Sequence, residues 1–190
     1  QALRRGMTLP VSAPRNGFPL DPSATQYLFL AGGIGITPIL AMLRWCAANA
    51  RPWRLVYAVR SSHRAAFLET LRTIGGGSLH LHADDQQSGV FDPIPWLSDA
   101  PPGEHVYCCG PAPMMAAVKA AASQRDPGTI HFEYFNAPSD EMAAFPEKRP
   151  FTIELRRSGR SFTVPANKSV LEILEQNGVP LVSYCREGTC

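Results

Sequence analysis

"QYLFLAGGIGITPILAMLRWCAANA", residues 26–50, is the stretch on which the fold turns. The run 26–30 is apolar and has the length of a strand, and the segment after the glycines spaces its apolar residues as a helix does. Thr37 is placed to cap that helix. Pro38 suits the first helical position, where its missing N–H would go unpaired in any residue. Gly32, Gly33 and Gly35 let backbone N–H groups approach a ligand closely, and the helix start aims its positive end at the same spot. Strand, glycine turn and helix together predict a pyrophosphate site; a turn that only packs tightly is the plain alternative. Pro38 stands where the third glycine of the usual dinucleotide fingerprint would be, and Arg60 and Ser61, not an acid, follow the next strand. No Gly-Lys-Ser/Thr follows the glycines, which excludes a P-loop.

Outward from this unit the alternation continues. Residues 53–59, 78–83, 105–109 and 129–134 read as strands, with helices between them. One helix puts Phe67, Leu68, Leu71 and Ile74 on a single face, and another follows Pro113 in an alanine-rich run. Residues 86–102 hold four prolines and one glycine, which predicts a loop with at most one helical turn. The pattern over residues 23–136 is that of an α/β domain built on a parallel sheet. "YCCGPAPMM", 107–115, then places Cys109, Gly110 and Pro111 at the carboxyl edge of that sheet, beside the glycine turn, where open α/β sheets bind ligands. A thiol at Cys109 is positioned to meet the reactive ring of a cofactor, whereas Cys46 and Cys108 read as small buried filler. His80 and His82 alternate with Leu79 and Leu81, the pattern of an exposed strand face rather than of metal ligands.

Composition shifts at 137–150, a proline-containing linker of mixed charge. Beyond it, alternating residues flank Ser158-Gly159 as in a hairpin. Ser169 and Glu172 make a capping box, and Gly178 a helix stop. Hairpin then helix begins a small α+β domain, and 40 residues are too few to bury a core alone. Cys185 and Cys190, four residues apart, open a metal-ligand pattern just where the sequence ends.

Hydrophobic residues make up 45% of the chain and charged residues 18%, enough for a globular core, and a net charge of +2 gives no reason to expect a nucleic-acid partner. No apolar run reaches membrane-spanning length. Five cysteines, two of them adjacent, make a poor disulfide framework and fit a reducing cytoplasm. Six Lys or Arg against two Glu between residues 147 and 168 read first as a solvated basic hairpin, and second as a surface for an acidic partner.

"AGGIGITP", "CCGP" and "HFEYF", in this order and followed by "SYCREGTC", resemble the phthalate dioxygenase and vanillate O-demethylase reductases of the ferredoxin-reductase superfamily. The resemblance implies three parts: a flavin-binding β-barrel, a ferredoxin-reductase-type NAD-binding domain, and a C-terminal 2Fe–2S ferredoxin domain of β-grasp fold. Residues 1–22 are then the tail of the barrel, 23–136 the NAD-binding domain and 151–190 a truncated ferredoxin domain. Gly32, Gly33, Gly35, Thr37 and Pro38 would hold the cofactor's pyrophosphate and ribose. Arg60 and Ser61 would meet its adenosine half. Cys109, with Gly110 and Pro111, would lie by the nicotinamide, and Phe135 against the flavin. Plant-type clusters take thiolates spaced C-x₄-C-x₂-C with a distant fourth. Cys185 and Cys190 fit the first two positions, and the third would fall three residues beyond Cys190, so a piece cut from both sides is expected. The implied function is to carry electrons from NADH through a flavin, FMN rather than FAD, and a 2Fe–2S cluster to an oxygenase component. Arg60 argues mildly for NADPH, since an arginine there suits a 2′-phosphate. The rival reading is a non-enzymatic dinucleotide sensor with a structural metal at Cys185 and Cys190.

Overall fold

The computed structural model describes residues 4–11, 13–14, 16–87, 89–99, 101–135 and 149–181. The chain divides into two compact units, Gln1–Glu133 and Tyr134–Cys190. The first unit contains β1 (Gln26–Gly32), β2 (Trp53–Val59), β3 (Gly77–Ala83), β4 (Glu104–Cys109) and β5 (Ile130–Glu133). All pairings are parallel, and the sheet order is β3-β2-β1-β4-β5. The helices are α1 (Ile36–Ala48), α2 (Leu68–Thr73), α3 (Ile94–Ser98) and α4 (Ala112–Ala121).

β1 is central and nearly all buried, as a strand covered on both faces must be. On one face Tyr27, Phe29 and Tyr107 form an aromatic layer, with centroids 5.8 Å apart from Tyr27 to Phe29 and from Phe29 to Tyr107. Ile36, Ile39, Leu43 and Cys46, spaced three or four apart along α1, pack into the same core. The chain ahead of β1 is strapped to this layer. Phe18 meets the Tyr107 ring edge-on, the Asp21 N–H donates to Tyr107 Oη at 2.7 Å, and Tyr27 Oη donates to the Asp21 carbonyl at 2.7 Å. At the amino end of the sheet, buried Glu104 accepts from Arg54 (2.6 Å) and Arg125 (3.3 Å), so its charge is paired from both sides.

The structure departs from the sequence reading in three places. A 3-10 turn, Gly33–Gly35, leads into α1, so the helix starts at Ile36 and Thr37 does not cap it; the Thr37 hydroxyl instead donates to the Ile34 carbonyl at 2.9 Å. Pro38 is therefore the third helical residue, and it is still tolerated because the whole first turn lacks intrahelical acceptors. Phe67 leaves the face of Leu71: it precedes α2 with φ of 61° and is exposed, a left-handed break that turns its ring outward. His82 is buried, not on an exposed face, because the segment after β3 folds back over it, while His80 stays exposed beside Trp96.

The second unit contains the antiparallel hairpin β6 (Phe151–Leu155) and β7 (Arg160–Val164), turned at Gly159, and the helix α5 (Val170–Gln176). Both halves of the Ser169/Glu172 capping box are made, and Gly178 takes a φ of 66° just past the helix end. Cys185, Cys190 and most of the linker lie outside the described residues. Among the described residues, no helix is long and apolar enough to cross a membrane.

Candidate functional site

From β1 the chain winds outward through β2 and β3 on one side; β4 and β5 then build the other side. The switch point of the sheet therefore lies between β1 and β4, the position at which open α/β sheets bind ligands outside the carboxyl ends of their strands. Both glycine turns stand there. β1 and β4 are paired out to Ala31 and Cys109, so Gly32–Gly35 and Gly110–Pro111 leave the sheet side by side.

The glycines have different jobs. A Cβ on Gly32 would come within 2.5 Å of Pro111 Cδ and 2.7 Å of Met114 Sδ, and one on Gly110 within 3.0 Å of Gly32 Cα. Gly35 is seated against the carbonyl group of Cys109. These three lock the turns together, backbone on backbone. Gly33 has φ of 53°, and a Cβ there would meet nothing within 4 Å. It alone faces open space.

That space is a cleft of about 520 Å³ whose lining includes Gly33, Arg60, Arg64, Asp84, Phe91 and Pro111. Arg60 and Arg64 belong to that lining, and Gly33 opens the turn that leads into a 13-residue helix that no side chain caps. A left-handed glycine open to the cleft, a free positive helix end and two arginines fit the pyrophosphate and adenosine half of a dinucleotide. A second hollow of about 590 Å³, between residues 17–22 and β5, lies away from both turns.

Of the residues expected from sequence, Gly33, Arg60 and Pro111 line the cleft; Gly32, Gly35 and Gly110 lie behind it as packing. Thr37 is exposed at the start of α1, one residue before Pro38, and Ser61 precedes a 3-10 turn without lining the cleft. Cys109 is 2% exposed and belongs to the aromatic core cluster. Burial, and then the nearby Glu133 carboxylate, push its thiol up to about 11, so it is neutral near pH 7 and is not poised as a nucleophile. Cys46 and Cys108 are buried, as filler would be. Phe135 belongs to the second compact unit and is exposed. Arg64, Asp84, Val90 and Phe91 line the cleft without a motif to announce them, and Met114 lines it from within the quoted stretch 107–115. Asp84 did have a signal: it immediately follows a parallel strand, at the sheet edge where ligands sit.

The profile of the oxidoreductase NAD-binding domain matches residues 29–120. Phthalate dioxygenase reductase of Burkholderia cepacia is 40% identical over 97% of this chain and 58% of its own length. Vanillate O-demethylase oxidoreductase of Pseudomonas putida is 38% identical over 100% of this chain and 60% of its own. A solved structure of phthalate dioxygenase reductase, described as a modular structure for electron transfer from pyridine nucleotides to [2Fe–2S], is 39% identical, with a TM-score of 0.65 over 94% of this chain and 57% of that one. The chain thus spans about three fifths of the length of such relatives. Likeness in sequence and fold runs from the strap before β1 to the capped helix α5, and the proteins this chain is similar to over that length are the phthalate dioxygenase and vanillate O-demethylase reductases.

Proposed function

We propose that this chain is the NAD-binding and adjoining portion of the reductase component of an aromatic-ring oxygenase or O-demethylase system, drawing electrons from NADH. The observation that carries the reading is the pair of interlocked glycine turns at the switch point, with Gly33 open to a cleft flanked by arginines. The names of the two relatives described above, a reductase and an oxidoreductase, favour it over a sensor. A bound nicotinamide would supply the electron pair as a hydride, and a flavin (FMN in our reading) and a 2Fe–2S cluster would supply the means of delivering it as single electrons to the oxygenase.

The chain's own residues hold and orient. Gly33 and the start of α1 take the pyrophosphate, Thr37 stands by for the adjoining ribose, and Arg60, with Ser61 near it, serves the adenosine half. Cys109 acts through position: its neutral, packed thiol fixes the carboxyl end of β4 and thereby the ring beside it, a contribution to orientation rather than to grip. Phe135 is assigned to the flavin face, and Cys185 and Cys190 to two of the four cluster thiolates. The test is anaerobic addition of NADH to the full-length protein. Bleaching of its flavin and iron–sulfur absorbance is expected; a protein that binds neither chromophore, or that keeps its colour under NADH, overturns the proposal.

A further inference from the structure

Met114 closes the seam between the two glycine turns. It is the third residue of α4, half-buried, and belongs to the wall of the cleft. Its sulfur fills space that side chains would otherwise take. A Cβ on Gly32 would lie 2.7 Å from Met114 Sδ, and one on Gly110 would lie 2.9 Å from it. One thioether therefore packs over both turns at once, at the edge of the space that the dinucleotide needs.

The other sulfurs of the first unit are placed differently. Met115, the next residue, is buried, and the Cys108 thiol donates to its Sδ at 3.5 Å. Met42 is buried in the core, and Met7 is exposed but is not part of the cleft wall. Cys46, Cys108 and Cys109 are buried, and burial raises the pKa of all three thiols, so none offers the thiolate that peroxides attack. Among the described residues, Met114 is the one sulfur-bearing side chain that lines the cleft, and a small oxidant has an open approach to it there.

We propose that Met114 is a modification site at which oxidation of the thioether to the sulfoxide weakens dinucleotide binding, and reduction restores it. This rests on the dinucleotide reading above and adds regulation to it. The oxidant is hydrogen peroxide. Its O–O bond breaks as the sulfur lone pair takes up one oxygen; the other leaves as water, and the sulfur loses two electrons. The seam has no room for the new oxygen, because the sulfur already fills the space in front of both glycines and what lies behind it is backbone. The unbranched side chain then has two courses: it pushes the turns apart, or it swings the polar sulfoxide out into the cleft. Both oppose the dinucleotide.

The test treats the full-length protein with hydrogen peroxide, locates the modified methionines by peptide mass mapping, and compares NADH affinity with that of the untreated sample. Met114 should gain one oxygen before Met42 and Met115 do. Affinity should fall by roughly 10- to 100-fold, the scale on which overpacking acts. The two methionine sulfoxide reductases, one for each epimer, should restore it together. Met114→Leu, which keeps every other methionine, should hold its own untreated affinity through the same treatment. Saturating NAD+ should slow oxidation of Met114 but not of Met7, as reciprocal coupling requires. Three results overturn the proposal while leaving the dinucleotide reading intact: Met114 unmodified when Met7 is fully oxidised, Met114 oxidised with NADH affinity unchanged, or a loss of affinity that Met114→Leu does not prevent. Untreated protein without affinity for NADH overturns both.

Discussion

Replacing Gly35 with alanine should uncouple the two turns of the site. Gly35 has φ of −60° and ψ of −10°, a conformation alanine adopts freely, so the substitution carries no backbone penalty. Its whole cost is steric. The added methyl would land inside the contact radius of the Cys109 carbonyl group and 3.0 Å from Gly110 N. Both obstacles are backbone, on the end of a central strand and in the turn after it, and neither can swing aside like a side chain. Overpacking of this kind typically costs about 1–3 kcal/mol, and an obstacle made of main chain puts the value near about 3. For a chain of this size that is a fall in Tm of roughly 6–12 °C. Gly33→Ala is the matched control: its Cβ meets nothing, and the left-handed φ of 53° sets the cost at about 1 kcal/mol. Thermal unfolding followed by circular dichroism, with NADH affinity measured alongside, separates the two. Gly35→Ala should lose both stability and binding, and Gly33→Ala mainly binding. A Gly35→Ala protein as stable as the wild type would refute the close approach of the turns, and with it the geometry of the site.

Glu104→Ala strands the nearly buried Arg125 and should cost about 3–5 kcal/mol in chemical denaturation while leaving NADH affinity unchanged, since Glu104 starts β4 and the cleft lies beyond the strand's other end. Cys109→Ala should slow flavin reduction by NADH in single turnovers without weakening dinucleotide binding; an unchanged rate would reduce Cys109 to core packing. His131 stacks on Tyr107 at 4.3 Å, and burial first, then the charge of His105, hold its pKa below the ordinary 6.5. The native state therefore binds fewer protons than the unfolded chain just below pH 6.5, so stability is full above that pH and declines as pH drops toward the lowered value. Urea midpoints at pH 7.5 and 5.5 should differ in that direction, and His131→Gln should shrink the difference; equal midpoints in the wild type would rule the linkage out.

The sheet and the location of the site were legible because short-range signals agree there. Strand-length apolar runs alternate with helical spacing, and two glycine turns follow two strands. What escaped was set by tertiary context. Thr37 looked like a cap because Thr-Pro so often opens a helix, yet the glycines before it already turn as a 3-10 helix, and the true start moves back to Ile36. Phe67 fitted the apolar stripe by spacing alone, and the left-handed backbone that ejects it leaves no mark in periodicity. His82 looked exposed because alternation shows which face a residue takes but not that a later loop will cover the strand. Asp84 was passed over since the fingerprint asks for an acid after the second strand, and the carboxylate that lines the cleft follows the third.

The interlock of Gly32, Gly35 and Gly110 also ties ligand binding to the completion of the fold. β1, β2 and β3 are near neighbours in the chain, but β1 pairs with β4 across the whole of that segment, Gln26 opposite Glu104. Such a closure carries the larger entropic cost and tends to come late. The cleft takes its lining from both sides of this seam, Gly33 and Arg60 on one and Pro111 and Met114 on the other, so a chain in which β4 has not docked has an incomplete site to offer. On the function proposed above, the dinucleotide would be a brace across the seam as well as a reactant. At a hundred times its dissociation constant, it would add about 2.7 kcal/mol to the docked sheet over any opened form. Slower amide exchange at Ala31 and Cys109 with NADH present would register that brace, and unaltered exchange would deny it.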